Sequence, residues 1–436
     1  MKHLHDVVLG MAAVLALCIV PSQLVFAERI TLFEGLNAAT QENRLIKIKQ
    51  QDELISESDT LIARAGLLPQ IYGAYSQTAY EKQQGARIGT QSLFTQQKDF
   101  YAYSLTLQQI LWDFKGISSQ YEASKKILET RQLESKRTRN FVALLFATGY
   151  FDVLESEKMI IVGRREVERL EAHLATAQSL YNEGVITRND LLQAQVRLSD
   201  AKQKLLTTQN LRKVNVSRLN NMLVRPLASD IETDEVVRGN EEPVALDQAF
   251  ERAENQRYEV KIVNTTMEAV GFETTAKKSE YYPRFFLEGG YQYVRNKYAL
   301  YDGTWLVTGG MSINFLSGGS TRAGLDKLSH QKDRLVIERK KLIDDIKLEV
   351  ERYYLELVNA RERIKVTRDA TSQAEENLRI NRIKYAEGEG TATEVIDAIT
   401  LLTIAETNYY RSQYELLRAE AGLMHAMGVD LGEVYR

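Results

Sequence analysis

The sequence predicts an α+β membrane protein made of two similar halves, each giving two β-strands and one very long helical hairpin. Three observations carry that expectation. The chain repeats itself: Tyr181-Asn-Glu-Gly184, then Asp190-Leu-Leu-Gln-Ala194, recurs 204 residues later as Tyr385-Ala-Glu-Gly388, then Glu394-Val-Ile-Asp-Ala398. Its five prolines, at 21, 69, 226, 243 and 283, leave 70–225 and 284–436 without any. An interior proline costs a helix roughly 3 kcal/mol, so those stretches are free to form long helices. Finally, after an apolar leader no later stretch reaches the length of a membrane-spanning helix. Entry into a membrane is then left to β-strands in a closed barrel, because open sheet edges cannot face lipid.

The elements follow in order. Lys2, the apolar run Val7–Val20 and the compact Val25-Phe-Ala27 have the layout of a secretory signal peptide spanning 1–27. The alternatives are an uncleaved anchor or acylation of Cys18, the single cysteine. Cleavage after Ala27 leaves a chain with no disulfide chemistry. Residues 31–66 read as one helix, with Thr31 and Glu34 as a capping box and Leu32, Leu36, Ala39 and Ile46 at helical spacing. Pro69 ends it. A strand near 70–80 and a clearer one at 100–109 follow; in the second, Tyr101, Tyr103, Leu105 and Leu107 alternate with small and polar residues. Between them 81–98, with Gly85 and Gly89, reads as an exposed loop.

Residues 114–182 then read as a helix with Leu170, Leu174, Ala177 and Tyr181 on one stripe and Arg164, Arg165, Glu166 and Glu168 outside it. At 1.5 Å per residue it is about 100 Å long. A glycine-containing turn at 182–187 returns it as a second helix to about residue 224. Residues 225–244, with two prolines and six acids, read as a surface strap. The second half repeats the plan: a helix from 245, a strand carrying Phe285, Leu287, Tyr291 and Tyr293, and another carrying Trp305, Val307, Met311 and Ile313. A long helix over 318–386, with Ala374, Leu378 and Tyr385 on its stripe, then turns at 386–391 and returns to about 427. The halves are thus 28–224 and 245–436. Gly289-Gly290 and Gly309-Gly310 relieve crowding in a curved sheet.

Four strands cannot close a barrel, since small closed barrels need about eight. Two, three or four copies give 8, 12 or 16 strands, and counting does not choose among them. A net charge of −3 with intermixed signs excludes a nucleic-acid surface. His173, His330 and His425 lie far apart, and no nucleophile, metal-ligand or phosphate-loop spacing is present, so neither enzyme nor cofactor chemistry is expected.

The leader, the duplication, the Pro-led strands and the Tyr-x-x-Gly tips together resemble the TolC-like outer-membrane efflux and secretion channels of Gram-negative bacteria, across 28–436. The resemblance implies a homotrimer with a 12-stranded β-barrel in outer-membrane lipid. It also implies a periplasmic α-helical barrel and docking onto a periplasmic adaptor and an inner-membrane transporter. Such a duct is passive, opened at its periplasmic end. The family's pore-gate acids match Glu394 and Asp397, three residues apart and so on one helix face. Both readings stay open for Glu394, because Thr391 makes it a capping-box acid too. The family's closing contacts match Tyr385 and Asp190, while its arginine position is Gly390 here; Arg188 is the expected substitute. The tips Tyr181–Thr187 and Tyr385–Thr391 match the adaptor contacts, with Gly184 and Gly388 in positive-φ turns. The alternative to the duct is a secreted or surface helical-bundle protein with a soluble sheet. The residues do not name a cargo.

Overall fold

The structure, a computed structural model, describes residues 28–236 and 244–435. The expected leader, 1–27, and Cys18 lie outside the described residues. In chain order come β1 (Glu28–Ile30), α1 (Leu32–Glu42), α2 (Arg44–Ala65), β2 (Gln70–Ala79), β3 (Gly85–Ile88), β4 (Gln91–Phe94) and β5 (Asp99–Trp112). The first hairpin is α3 (Gly116–Asn182) and α4 (Arg188–Met222). After β6 (Ile231–Thr233) follow α5 (Leu246–Gln256), α6 (Tyr258–Ser279), β7 (Arg284–Val294) and β8 (Gly303–Ser312). The second hairpin is α7 (Ser320–Ala386) and α8 (Ala392–Ala426), with α9 (Leu431–Val434) closing the chain. The two hairpins have identical arm lengths, 67 and 35 residues.

Three expectations need correction. The helix over 31–66 is two helices, broken at Asn43 (φ −59°, ψ 131°). Asn43 Oδ1 accepts the Leu45 N–H at 2.9 Å and its Nδ2 donates to the Met222 carbonyl at 3.1 Å. The break recurs at Arg257 (φ −59°, ψ 129°), so it belongs to the duplicated plan. The loop 81–98 holds a small hairpin, β3 pairing antiparallel with β4 around Gly89 at φ 63°. The strap from 225 is also tied down: β6 pairs parallel with β1, placing Ile231 fully in the core. Its acids meet bases of the first hairpin and β1, with Asp234 on Arg29 at 2.7 Å, Asp230 on Arg212 at 3.3 Å, and Glu235 on Lys158.

The four long strands form one antiparallel sheet in the order β2-β5-β7-β8, so the repeats meet at β5–β7. Register aligns one face throughout: Tyr75 lies opposite Tyr103, Tyr103 opposite Tyr293, Leu105 opposite Tyr291, and Tyr291 opposite Trp305. Rings on that face stack across strands, Tyr103 on Tyr293 at 4.7 Å. The other face aligns Ser104 with Gln292, Gln292 with Thr304, and Glu288 with both Gln108 and Thr308. The apolar side chains of the first face stand largely exposed, Trp305 at 79% and Val307 at 74%. At each strand-to-helix junction two residues take positive φ, Phe114 and Lys115 in the first repeat and Gly318 and Gly319 in the second. The core lies at the waist of the hairpins, around the fully buried Phe146, Tyr150 and Phe151 of α3.

Candidate functional site at the hairpin tips

Each tip is built by turn chemistry that its sequence dictates. Gly184 and Gly388 sit at φ 78° and 77°, the left-handed region that glycine enters without steric cost, with no neighbour within 4 Å of an added Cβ. Three residues on, Thr187 and Thr391 start the return helices, and both make complete capping boxes. Thr187 Oγ1 donates to Asp190 Oδ2 at 2.7 Å while the Asp190 N–H donates back. Thr391 N–H and Oγ1 donate to Glu394 Oε2 at 2.8 and 3.0 Å. Hydrogen bonds from the Thr391 backbone, then from its side chain, hold the Glu394 carboxyl below the usual range. Glu394 is therefore ionised, and only one of its oxygens is used by the cap. Asp397, three residues along the same helix, is exposed like Glu394. The cap thus leaves the carboxylate charge of Glu394 at the surface.

The repeats diverge in their tyrosines. Tyr181 is half exposed, whereas Tyr385 is 3% exposed and packs on the ring of His173, centroids 5.2 Å apart. Tyr385 Oη and His173 Nε2 have no hydrogen-bond partner among the described residues. Burial, and then the nearby Asp190 charge, pushes the Tyr385 phenol up. Burial, with Arg382 adding to it, pushes His173 down to about 4, so the imidazole is neutral. The structure thus brings Tyr385 close to Asp190 without a hydrogen bond, because the Asp190 carboxylate is engaged by Thr187. Arg188 is exposed and makes no ion pair in the chain among the described residues. A Cβ on Gly390 would press on the Tyr385 backbone and the Lys384 side chain at 3.1–3.2 Å.

Above this layer lies an ion pair that sequence reasoning missed. Glu406 of α8, only 3% exposed, receives both terminal nitrogens of Arg169 of α3 at 2.8 Å, and Arg165 at 3.4 Å. The signal available was the spacing of Arg165, Arg169 and His173, successive i,i+4 positions on one face of α3. Among the described residues no three His, Cys, Asp or Glu groups are placed to hold a metal, and no helix is long and apolar enough to cross a membrane.

Two comparable hairpins, a four-stranded sheet and matched tips find their counterpart in known proteins. The profile of outer membrane efflux proteins matches residues 35–224 and 249–429, one match for each repeat. The chain belongs to the outer membrane efflux protein family. This family comprises outer-membrane channel proteins rather than enzymes. Within it, the chain is 20% identical over 408 residues to the proteases secretion protein PrtF of Dickeya chrysanthemi, covering 89% of this chain and 85% of that one. It is 19% identical over 414 residues to the alkaline protease secretion protein AprF of Pseudomonas aeruginosa, covering 91% and 84%. A crystal structure of a membrane protein from Pseudomonas aeruginosa superposes with a TM-score of 0.82 at 17% identity, over 94% of this chain and 92% of that one. The single-chain fold that the resemblance implied, mostly helical with a few long strands, is the one observed.

Proposed function

We propose that three copies of this chain form a passive exit duct, a 12-stranded barrel in the outer membrane of a Gram-negative bacterium continued by a periplasmic helical tube. The sheet carries this reading. Its two faces are apolar and polar in register across both repeats, and β2 and β8 each leave one edge unpaired among the described residues. Such edges cannot face lipid. Pairing β8 of one copy with β2 of the next, three times, removes every edge. The ring of tyrosines and Trp305 suits a membrane–water boundary. A soluble bundle would leave the exposed Trp305, Val307 and Met311 in water.

At the far end, Glu394 and Asp397 of three copies would form two acidic rings at the pore entrance, favouring cations. Tyr385, Asp190 and Arg188 would take part in closing it. The tips around Tyr181, Gly184, Gly388 and Thr391 would dock on a periplasmic adaptor serving an inner-membrane transporter. Residues 1–27 would direct export. PrtF and AprF are named as secretion proteins for proteases. That favours a type I system exporting a polypeptide over one exporting small molecules.

Single-channel recording of the purified protein in a planar bilayer tests the duct. Discrete, cation-preferring openings are expected, and neutralising Glu394 and Asp397 together weakens the cation preference. A protein that partitions away from the outer-membrane fraction and never enters a bilayer sinks the reading in favour of a secreted bundle.

A further inference from the structure

We propose that Glu406 is the positioning residue of the gate, a buried latch through which Arg169 and Arg165 of the first hairpin hold the second hairpin in place. This rests on the exit-duct reading and adds to it the contact that sets how often the tip opens.

The geometry singles this carboxylate out. The two hairpins of the chain are joined along α3 and α8 by ion pairs at two heights. Near the waist Arg418 of α8 meets Asp152 and Glu155 of α3 at 2.9 and 2.6 Å, and Arg411 meets Glu155 at 3.8 Å. Toward the tip the polarity reverses: the acid, Glu406, lies on α8 and the bases lie on α3. The two storeys also differ in burial. The side chain of Asp152 is 45% exposed, whereas that of Glu406 is 4% exposed. A carboxylate so deeply placed is strongly disfavoured when its partner leaves, and the two-pronged Arg169 contact is directional. Separation of α8 from α3 at this level therefore needs Glu406 to reach water in the same movement. Such a contact has two discrete states, made or broken.

The duplication supplies an internal control. The position equivalent to Glu406, 204 residues earlier, is Lys202. Its partner, Glu171, lies within its own hairpin, and both side chains are 53% exposed. Among the described residues, the first repeat's acids that reach across to the other hairpin, Asp152 and Glu155, are 45% and 19% exposed at their side chains, against 4% for Glu406. The same repeat buries its tip tyrosine, Tyr385, against His173, one turn of α3 below Arg169. Latch and tyrosine face one stripe of α3, so release of Glu406 loosens the layer next to the tip. Neither Glu406 nor Arg169 belongs to the acidic pair Glu394 and Asp397, so the latch governs opening and not ion preference.

The test records single channels from the full-length processed protein and from Glu406→Gln, Arg169→Gln, Arg169→Lys and the double Arg169→Gln/Glu406→Gln. Expected for Glu406→Gln and Arg169→Gln is a rise in open probability of about tenfold, within the range of ordinary coupling between protein elements. Unit conductance and cation preference stay at the unsubstituted values. The double variant matches the singles instead of compounding them, since one contact is lost in all three. Arg169→Lys falls between, because a lysine keeps the charge without the two-pronged geometry. Circular dichroism of each variant in detergent checks that the helices are retained, and retention is expected for Glu406→Gln, the neutral isostere. Unchanged open probability in Glu406→Gln, with the unsubstituted protein conducting, overturns the latch and leaves the duct standing. So does a change confined to unit conductance. Absence of current from every form, the unsubstituted protein included, overturns the duct and the latch with it.

Discussion

The waist and the tips of the hairpins are made from the same four long helices, yet they are packed by different means. At the waist α3 contributes Phe146, Tyr150 and Phe151, all fully buried, and β1, β6, α1 and α9 close around them. Tyr150 is also hydrogen-bonded: its hydroxyl donates to the Ile30 carbonyl at 2.9 Å and accepts the Asp234 N–H at 2.7 Å. At the tips the buried layer is mostly alanine, valine, isoleucine and leucine, with Tyr385 the one aromatic in its cluster. There, Tyr385 Oη and His173 Nε2 are buried without partners among the described residues. Large, fully buried groups fix one end, and a thinner layer of small side chains makes the other end easier to separate. The duct proposed above, anchored while its entrance opens, would need that division.

The comparison breaks most visibly at Tyr150. Tyr150→Ala removes a fully buried ring and both of its hydrogen bonds, an expected loss of about 3–5 kcal/mol, and thermal unfolding followed by circular dichroism in detergent moves to lower temperature. Tyr385→Ala removes a similar volume where fewer neighbours surround it, so the same measurement gives a smaller shift. Equal shifts would refute the division between waist and tip.

Acid acts on the tips next. His173 is neutral, its pKa down from the ordinary 6.5 to about 4 through burial first and Arg382 second. The folded state therefore binds fewer protons than the unfolded state between those values. Stability contributed by the buried imidazole is fully present above about pH 6.5 and is lost as pH falls toward 4, to a total of about 2–3 kcal/mol. Tyr385 of α7 packs on the ring, Arg169 stands one turn away on α3 and Asp190 of α4 lies beyond Tyr385; the Arg382 charge on α7 opposes protonation of the ring. Hydrogen exchange at pH 7.5 and pH 5 is expected to show faster exchange near 165–200 and 370–405 at the lower pH, with the waist unchanged. His173→Phe abolishes the difference if the imidazole is its source; persistence in that variant assigns it elsewhere.

Two glycines sharpen the contrast at lower energy. A Cβ on Gly35 would run into the Phe146 ring, which has no room to move, so Gly35→Ala overpacks the waist by about 1–3 kcal/mol. Gly388→Ala meets no atom within 4 Å and suffers only from its φ of 77°, about 1 kcal/mol. Reversal of that order in melting temperature would show that the tip, not the waist, limits stability.

The duplication made much of this legible. Repeated Tyr-x-x-Gly and capping residues located both tips, and alternation located three of the four long strands clearly, β2 being the weakest because Gly73 interrupts its apolar face. The helix break at Asn43 and Arg257 was hidden because neither residue is a proline or glycine; the break depends on partners far away, Met222 for one and Glu349 for the other. The hairpin β3–β4 has four-residue strands, too short for a period to show. Glu406 itself was hidden for a related reason, and only the spacing of its arginines on α3 pointed to a partner. Its partner Arg169 is 237 residues away, and one acid on a long amphipathic helix carries no local sign that it is buried.

The smallest effects belong to the caps, and they decide whether Glu394 acts as a structural residue or a pore charge. Thr187→Ala removes one capping box and is expected to weaken the start of α4 by about 1 kcal/mol. Thr391→Ala does the same to α8, but it also removes the hydroxyl donor, one of the two hydrogen bonds that hold the Glu394 carboxyl low, while the backbone N–H donor stays. Held by one hydrogen bond fewer, the carboxyl titrates nearer the ordinary glutamate range, so less of its charge survives mild acid. Recorded between pH 7 and pH 4.5, the cation preference of Thr391→Ala therefore declines at higher pH than that of the unsubstituted channel, while Thr187→Ala leaves the profile in place. If the two threonine variants behave alike, Glu394 serves the helix alone, and the entrance charge falls to Asp397, which the cap does not touch.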